Sequence, residues 1–140
     1  LMAILQFVPS AVGAQGQSSP TPSSVSAQVP DAAVDQMSDA FSRGDEQALL
    51  EQAADRVELS LFGTRTYYSR SQALYVMRDF FEKYAPRRFE AGEVAETGES
   101  YFVTGQYWHV RAETPFRVYV RVTVGDEVWH LHEIRVQQQR

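Results

Sequence analysis

The spacing of apolar residues changes along the chain, and the changes mark out its elements. From Asp31, the positions Val34, Met37, Ala40 and Phe41 recur at helical spacing until Gly44. This predicts a helix capped by Asp31 and closed by the glycine. Asp45 can cap a short second helix with Ala48, Leu49 and Ala53 on one face. The period then drops to two: Val57, Leu59 and Leu61 alternate with Glu58 and Ser60 until Gly63, as in a half-buried strand. Tyr67 and Tyr68 read as loop. Ser69-Arg70-Ser71-Gln72 has capping-box spacing, and Leu74, Met77, Phe80, Phe81 and Tyr84 form the stripe of the helix behind it, which Pro86 ends.

The remainder reads as strands: 88–95, 101–112, 116–124 and 128–137, with turns at Thr97–Ser100, Glu113-Thr114 and Gly125–Glu127. Segregated helices followed by consecutive strands predict an α+β fold, with the helices on one face of a curved antiparallel sheet. Phe116, Val118, Val120, Val122 and Val124 must face the core, so Arg117, Tyr119, Arg121 and Thr123 face outward. A tight turn at Glu113-Thr114 pairs Tyr107 with Val120. Tyr101, Val103, Gly105, Tyr107 and His109 then point inward, while Phe102, Trp108 and Val110 point outward. A loop of odd length would reverse every one of these, since the side-chain period is two. In the last strand Trp129 and Leu131 have one parity, Ile134 and Val136 the other; a bulge at His132-Glu133 would place all four inside.

The N-terminus has a different character. Residues 1–8 are a short apolar run, and Val12 and Ala14 occupy the small-residue positions of a signal-peptidase site, so 1–14 reads as a signal peptide cut after Ala14. No Lys or Arg precedes the run, so the basic start of such a leader is missing from the chain. The run is too short to cross a bilayer as a mature helix, which needs about 20 apolar residues. Residues 15–30 are uncharged and rich in Ser, Pro and Gln, as in a disordered linker. The folded domain is then 31–140, in the periplasm or secreted, with no membrane attachment after cleavage.

The absence of cysteine excludes disulfide scaffolds, thiolate metal sites and cysteine nucleophiles. A net charge of −5 argues against nucleic acid as a partner, because such proteins need a basic surface to displace counterions. Charge is segregated: acids dominate 31–60, and arginines with the lone Lys83 dominate 61–90, the pattern of solvated helix faces.

The segments VELSLFG, YSRSQALYVMRDFFEKYAP and PFRVYVRVTVGDEVWHLHEIRV resemble the nuclear transport factor 2-like (cystatin-like) superfamily over about Val34 to Val136. More narrowly, the chain is similar to a family of small exported bacterial domains of unknown function. The resemblance implies a sheet curved into a cone around N-terminal helices and one central helix, with a mouth able to hold a small ligand. Superfamily members include isomerases, hydrolases and dehydratases as well as non-catalytic dimers, so the fold does not choose between them. Many pair through the outer sheet face.

Two functional readings follow. Phe102, Trp108, Val110 and Tyr119, with Arg117 and Arg121 beside them, would form an apolar outer patch suited to a homodimer. The corresponding function is a non-catalytic interaction module, with a small apolar ligand in the cone and no cofactor. The alternative is a small-molecule enzyme of isomerase, hydrolase or dehydratase type. Its cone pocket would be lined by Tyr75, Tyr107 and His109, with Glu133 or Asp79 as the carboxylate. A metal site from His130, His132 and His109 is disfavoured, because the strand 116–124 separates them by roughly 10 Å.

Overall fold

The structure is a computed structural model that describes residues 22–126 and 128–139. The expected leader, 1–14, and residues 15–21 of the expected linker lie outside the described residues.

Helix α1 spans Pro22–Arg43, so it begins well before Asp31. Over 22–30 the expected linker is helical, and Asp31 lies within the helix instead of capping it. Proline is compatible with the first helical position, where its missing N–H has no partner to lose. Extending an existing helix backward is also far cheaper than nucleating one. Gly44, at φ +65°, ends α1 as expected, and the Asp45 N–H donates to the Ala40 carbonyl at 2.9 Å. Asp45 then caps the short α2, Glu46–Leu49, its carboxylate accepting from the Ala48 N–H at 3.0 Å.

Strand β1 (Ala53–Leu61) is followed by β2 (Thr64–Ser69), where the sequence pattern predicts a loop. The two form a hairpin around Phe62-Gly63, both at positive φ (55° and 94°), as a two-residue hairpin turn requires. The turn holds Phe62 in place because its ring packs on Phe116, with centroids 4.9 Å apart. Helix α3 (Arg70–Lys83) starts from the full capping box of Ser69 and Gln72. Strands β3 (Pro86–Thr97), β4 (Ser100–His109), β5 (Phe116–Gly125) and β6 (Val128–Gln138) complete the chain.

The six strands form one sheet in the order β2-β1-β6-β5-β4-β3. The fold is α+β, as expected. However, β1 runs parallel to β6, so the sheet is mixed where a fully antiparallel one was expected. The cause is the long return of the chain through α3 and the β3–β6 meander, which brings β6 beside β1 in the same direction.

Tyr107 pairs with Phe116, not with Val120, because β4 ends at His109 and the loop takes its residues from the β4 side instead of centring on Glu113-Thr114. The slip is an even number of residues, so the faces are unchanged: Val103, Tyr107 and His109 are buried inside, while Phe102 and Trp108 lie outside. In β6, Arg121 pairs with Glu133 but Val122 pairs with Leu131, which leaves His132 as the extra residue of a bulge. Trp129, Leu131, Ile134 and Val136 are consequently all buried.

Candidate functional site

The cone interior is filled by its own side chains. Phe41 stacks on Phe89 at 4.8 Å between centroids, Phe81 and Tyr107 meet Phe41 edge-on, and Phe80 lies tilted against Tyr107 and Phe116. Gly105 makes room for this: a Cβ there would lie 2.4 Å from Phe89 Cζ. Tyr107 is fully buried, and its hydroxyl donates to the Tyr84 carbonyl. Burial pushes its pKa far above the usual phenol value, so it stays protonated.

His109 lies at the mouth, stacked on Phe116 at 4.8 Å, with Nδ1 accepting from the Arg111 N–H at 3.3 Å. Burial first, then the charges of Arg111 and Arg87, hold its pKa below the ordinary imidazole value. Beside it is a depression of about 340 Å³ whose walls include Tyr84, Phe116 and Gln138. A ligand of the expected kind would meet this mouth, since the interior is occupied.

The residues of the alternative, catalytic reading are not brought together. Tyr75 is 69% exposed on α3, with its ring 5.4 Å from the Arg78 guanidinium, and so does not line the cone. The α3 stripe turns Ala73, Met77 and Phe80 inward, and Tyr75 falls on the opposite side of the helix. Asp79 is likewise exposed. Glu133 pairs with Arg121 on the outer face, whereas His109 faces inward two strands away. A sheet thus separates the two groups proposed as acid and base.

The outer face carries the other expected residues. Phe102, Trp108, Tyr119 and Arg121 are half-buried there, Arg117 is exposed, and the Arg88 guanidinium stacks on Trp108 at 4.0 Å. The patch is less continuous than expected. Thr104 and Gln106 separate Phe102 from Trp108 on the same face, and Val110 lies past the end of β4, exposed in the following turn. Between the aromatics, at the β3 bulge, is an open depression of about 830 Å³ lined by residues including Glu90, Glu93, Gln106, Arg117 and Tyr119.

Towards β1 and β2 the same face holds an ionic network that the sequence reading did not identify. The parallel pairing of β1 with β6 sets Glu58 beside Glu133. Glu133 receives Arg135 at 2.9 Å and Arg121 at 3.5 Å, and Glu58 receives Arg65 at 3.3 Å. Burial pushes the Glu58 carboxyl up, but the Tyr67 hydroxyl and the Arg65 and Arg135 guanidiniums outweigh it and hold Glu58 below the usual carboxylate range. The same hydrogen bond raises the Tyr67 pKa. His132, in the bulge, shares a 2.8 Å hydrogen bond with Thr123 Oγ1; burial first, then Arg121 and His130, keep its pKa low. Alternation in β1 shows only that Glu58 faces away from Val57 and Leu59; its neighbour on a strand some 75 residues later follows from topology alone. His130 is exposed, and β5 stands between β6 and His109. Among the described residues no group of three or more His, Asp or Glu side chains is arranged to hold a metal ion.

Comparison with known proteins agrees with this architecture. The family described as Domain of unknown function (DUF4783) matches residues 34–137. No curated protein matches the chain. A crystal structure of a DUF4783 family protein from Bacteroides ovatus ATCC 8483 is 27% identical, with a TM-score of 0.69, over 75% of this chain and 94% of that one. A domain of unknown function with a cystatin-like fold from Nostoc punctiforme PCC 73102 is 20% identical, with a TM-score of 0.62, over 86% and 80%. A nuclear transport factor 2-like protein of unknown function from Silicibacter pomeroyi DSS-3 is 16% identical, with a TM-score of 0.60, over 85% and 100%. The chain therefore belongs to the DUF4783 family of domains of unknown function, on the nuclear transport factor 2-like, cystatin-like fold.

Proposed function

We propose that the domain is an exported, non-catalytic binding module that pairs with a second copy of itself through the outer face of the sheet. The observation that carries this reading is the contrast between the two faces. The inner face is closed by its own aromatic side chains, whereas Phe102, Trp108 and Tyr119 are held half-exposed on the outer one. That face also carries both signs of charge, with Arg117 beside Glu90 and Glu93. A two-fold interface brings a patch against its own copy, so it needs both signs to be self-complementary. The test is sedimentation velocity on the full chain. A dimer that Trp108→Arg converts to monomer, with unchanged thermal unfolding, supports the reading. A wild-type monomer at micromolar concentration overturns it.

One observation favours small-ligand binding at the cone mouth as a second reading: Gln139 Oε1 is buried there without a hydrogen-bond partner among the described residues. Native mass spectrometry on gently purified protein distinguishes the two. A discrete retained mass supports the ligand, and a bare dimer opposes it. Export rests on the leader-like pattern of 1–14. Protein made with its own leader should begin at Gln15, and an intact Leu1 would end that part of the proposal.

A further inference from the structure

Besides the aromatic patch, the outer face has a second depression, about 300 Å³, lined by Arg56, Glu58, Tyr67, Arg121 and His132. It is formed by β1, β2, β5 and β6, at the β2 end of that face and away from Trp108. We propose that it is a binding site for a small oxyanion, the carboxylate or phosphate group of a small molecule, with Arg56 and Arg121 as the ligating cations. This goes beyond the dimer reading and does not depend on it.

The charge balance is the first support. Four guanidiniums, those of Arg56, Arg65, Arg121 and Arg135, surround two carboxylates, Glu58 and Glu133. Arg65 engages Glu58 at 3.3 Å, and Arg135 engages Glu133 at 2.9 Å. Arg121 reaches Glu133 only at 3.5 Å, which leaves most of its N–H donors available. Arg56 has no carboxylate partner among the described residues. It lies over the Tyr67 ring, 5.6 Å from the centroid, and this contact uses its face rather than its hydrogen-bonding edge.

Geometry is the second support. A guanidinium offers a planar fork of donors that matches the two oxygens of a carboxylate or phosphate. Here one fork is braced by an aromatic ring on the hairpin and the other by a carboxylate on β6, so both are positioned before a ligand arrives. The depression has the size of the smaller ligand sites, roughly 300 Å³ upward. The two carboxylates exclude bare anions of weak directionality, because only a ligand that satisfies the forks offsets their repulsion.

The experiment is an NMR titration of the ¹⁵N-labelled full chain with inorganic phosphate and, separately, succinate, each against chloride at equal ionic strength. Saturable shifts confined to the amides around Arg56, Tyr67, Arg121 and His132 are expected with phosphate, succinate or both, and which one saturates identifies the oxyanion class. Arg56→Gln, an exposed position, is expected to weaken binding by about tenfold or more without moving the melting temperature. The Trp108→Arg variant is expected to bind as wild type does, so loss of the dimer and loss of the site are separable. Shifts that chloride reproduces, that never saturate, or that persist unchanged in Arg56→Gln overturn the proposal.

Discussion

Tyr107 illustrates how much a single buried polar group fixes. Its ring fills the cone, and its hydroxyl satisfies the Tyr84 carbonyl where α3 ends. Tyr107→Phe keeps the ring but leaves the carbonyl without this donor, so a loss of ~1–3 kcal/mol is expected. Urea unfolding should show a lower midpoint at an unchanged slope. The histidines set a pH dependence of known sign. His109 and His132 both have folded pKa values below the ordinary value of 6.5, because of burial and neighbouring cations. On acidification the unfolded chain takes up these protons before the folded one does. Stability is therefore full above about pH 6.5 and falls as pH drops through the folded values. The melting temperature should be lower at pH 5 than at pH 7.5, and His109→Gln should reduce that difference. Glu58, also depressed, contributes in a more acidic window, below the ordinary carboxylate value of 4.5.

The β6 bulge is the decisive feature at the scale of elements. By absorbing one residue it brings Trp129 and Leu131 onto the same face as Ile134 and Val136. Deleting His132 would remove the extra residue and force one of these pairs into solvent. Burial of each such side chain contributes ~1.5–3 kcal/mol, so the deletion should unfold a domain of ordinary stability. His132→Ala keeps the backbone count and should still fold with a cooperative melt. Circular dichroism on the two variants separates the role of the residue from that of its position. This bulge was legible in the sequence because the apolar parity breaks at His132-Glu133. The strand β2 was not. Its Thr-Arg-Thr-Tyr-Tyr-Ser pattern is an edge strand with little apolar content, and its partner lies just across Phe62-Gly63, a turn recognisable only once both positive φ values are known.

For the whole molecule, the main consequence is that the cone is closed by aromatic packing. Phe80 touches Phe62, Phe81, Tyr84, Tyr107 and Phe116 with ring centroids 5.3–6.4 Å apart. Phe80→Ala should cost ~3–5 kcal/mol and leave an apolar cavity. Such a cavity stays dry, so the variant should be stabilised by benzene in a thermal melt while the wild type is not. A wild-type melt that benzene raises equally would show that the interior already has room.

Periodicity and local chemistry were enough to read two capped helices, the alternation of β4 and β5, the bulge in β6 and the α+β class. These depend on neighbours a few residues apart, where side-chain spacing and capping act directly. Whatever depends on which strands become neighbours was settled by the fold. The parallel pairing of β1 with β6 put Glu58 beside Glu133, and the displaced β4–β5 loop shifted the register without changing the faces. Rotation of α3 sent Tyr75 into solvent, and the sheet separated His109 from Glu133. An alternating strand states which residues share a face, but the groups that meet across that face are set by long-range topology, and a functional site is made of those meetings.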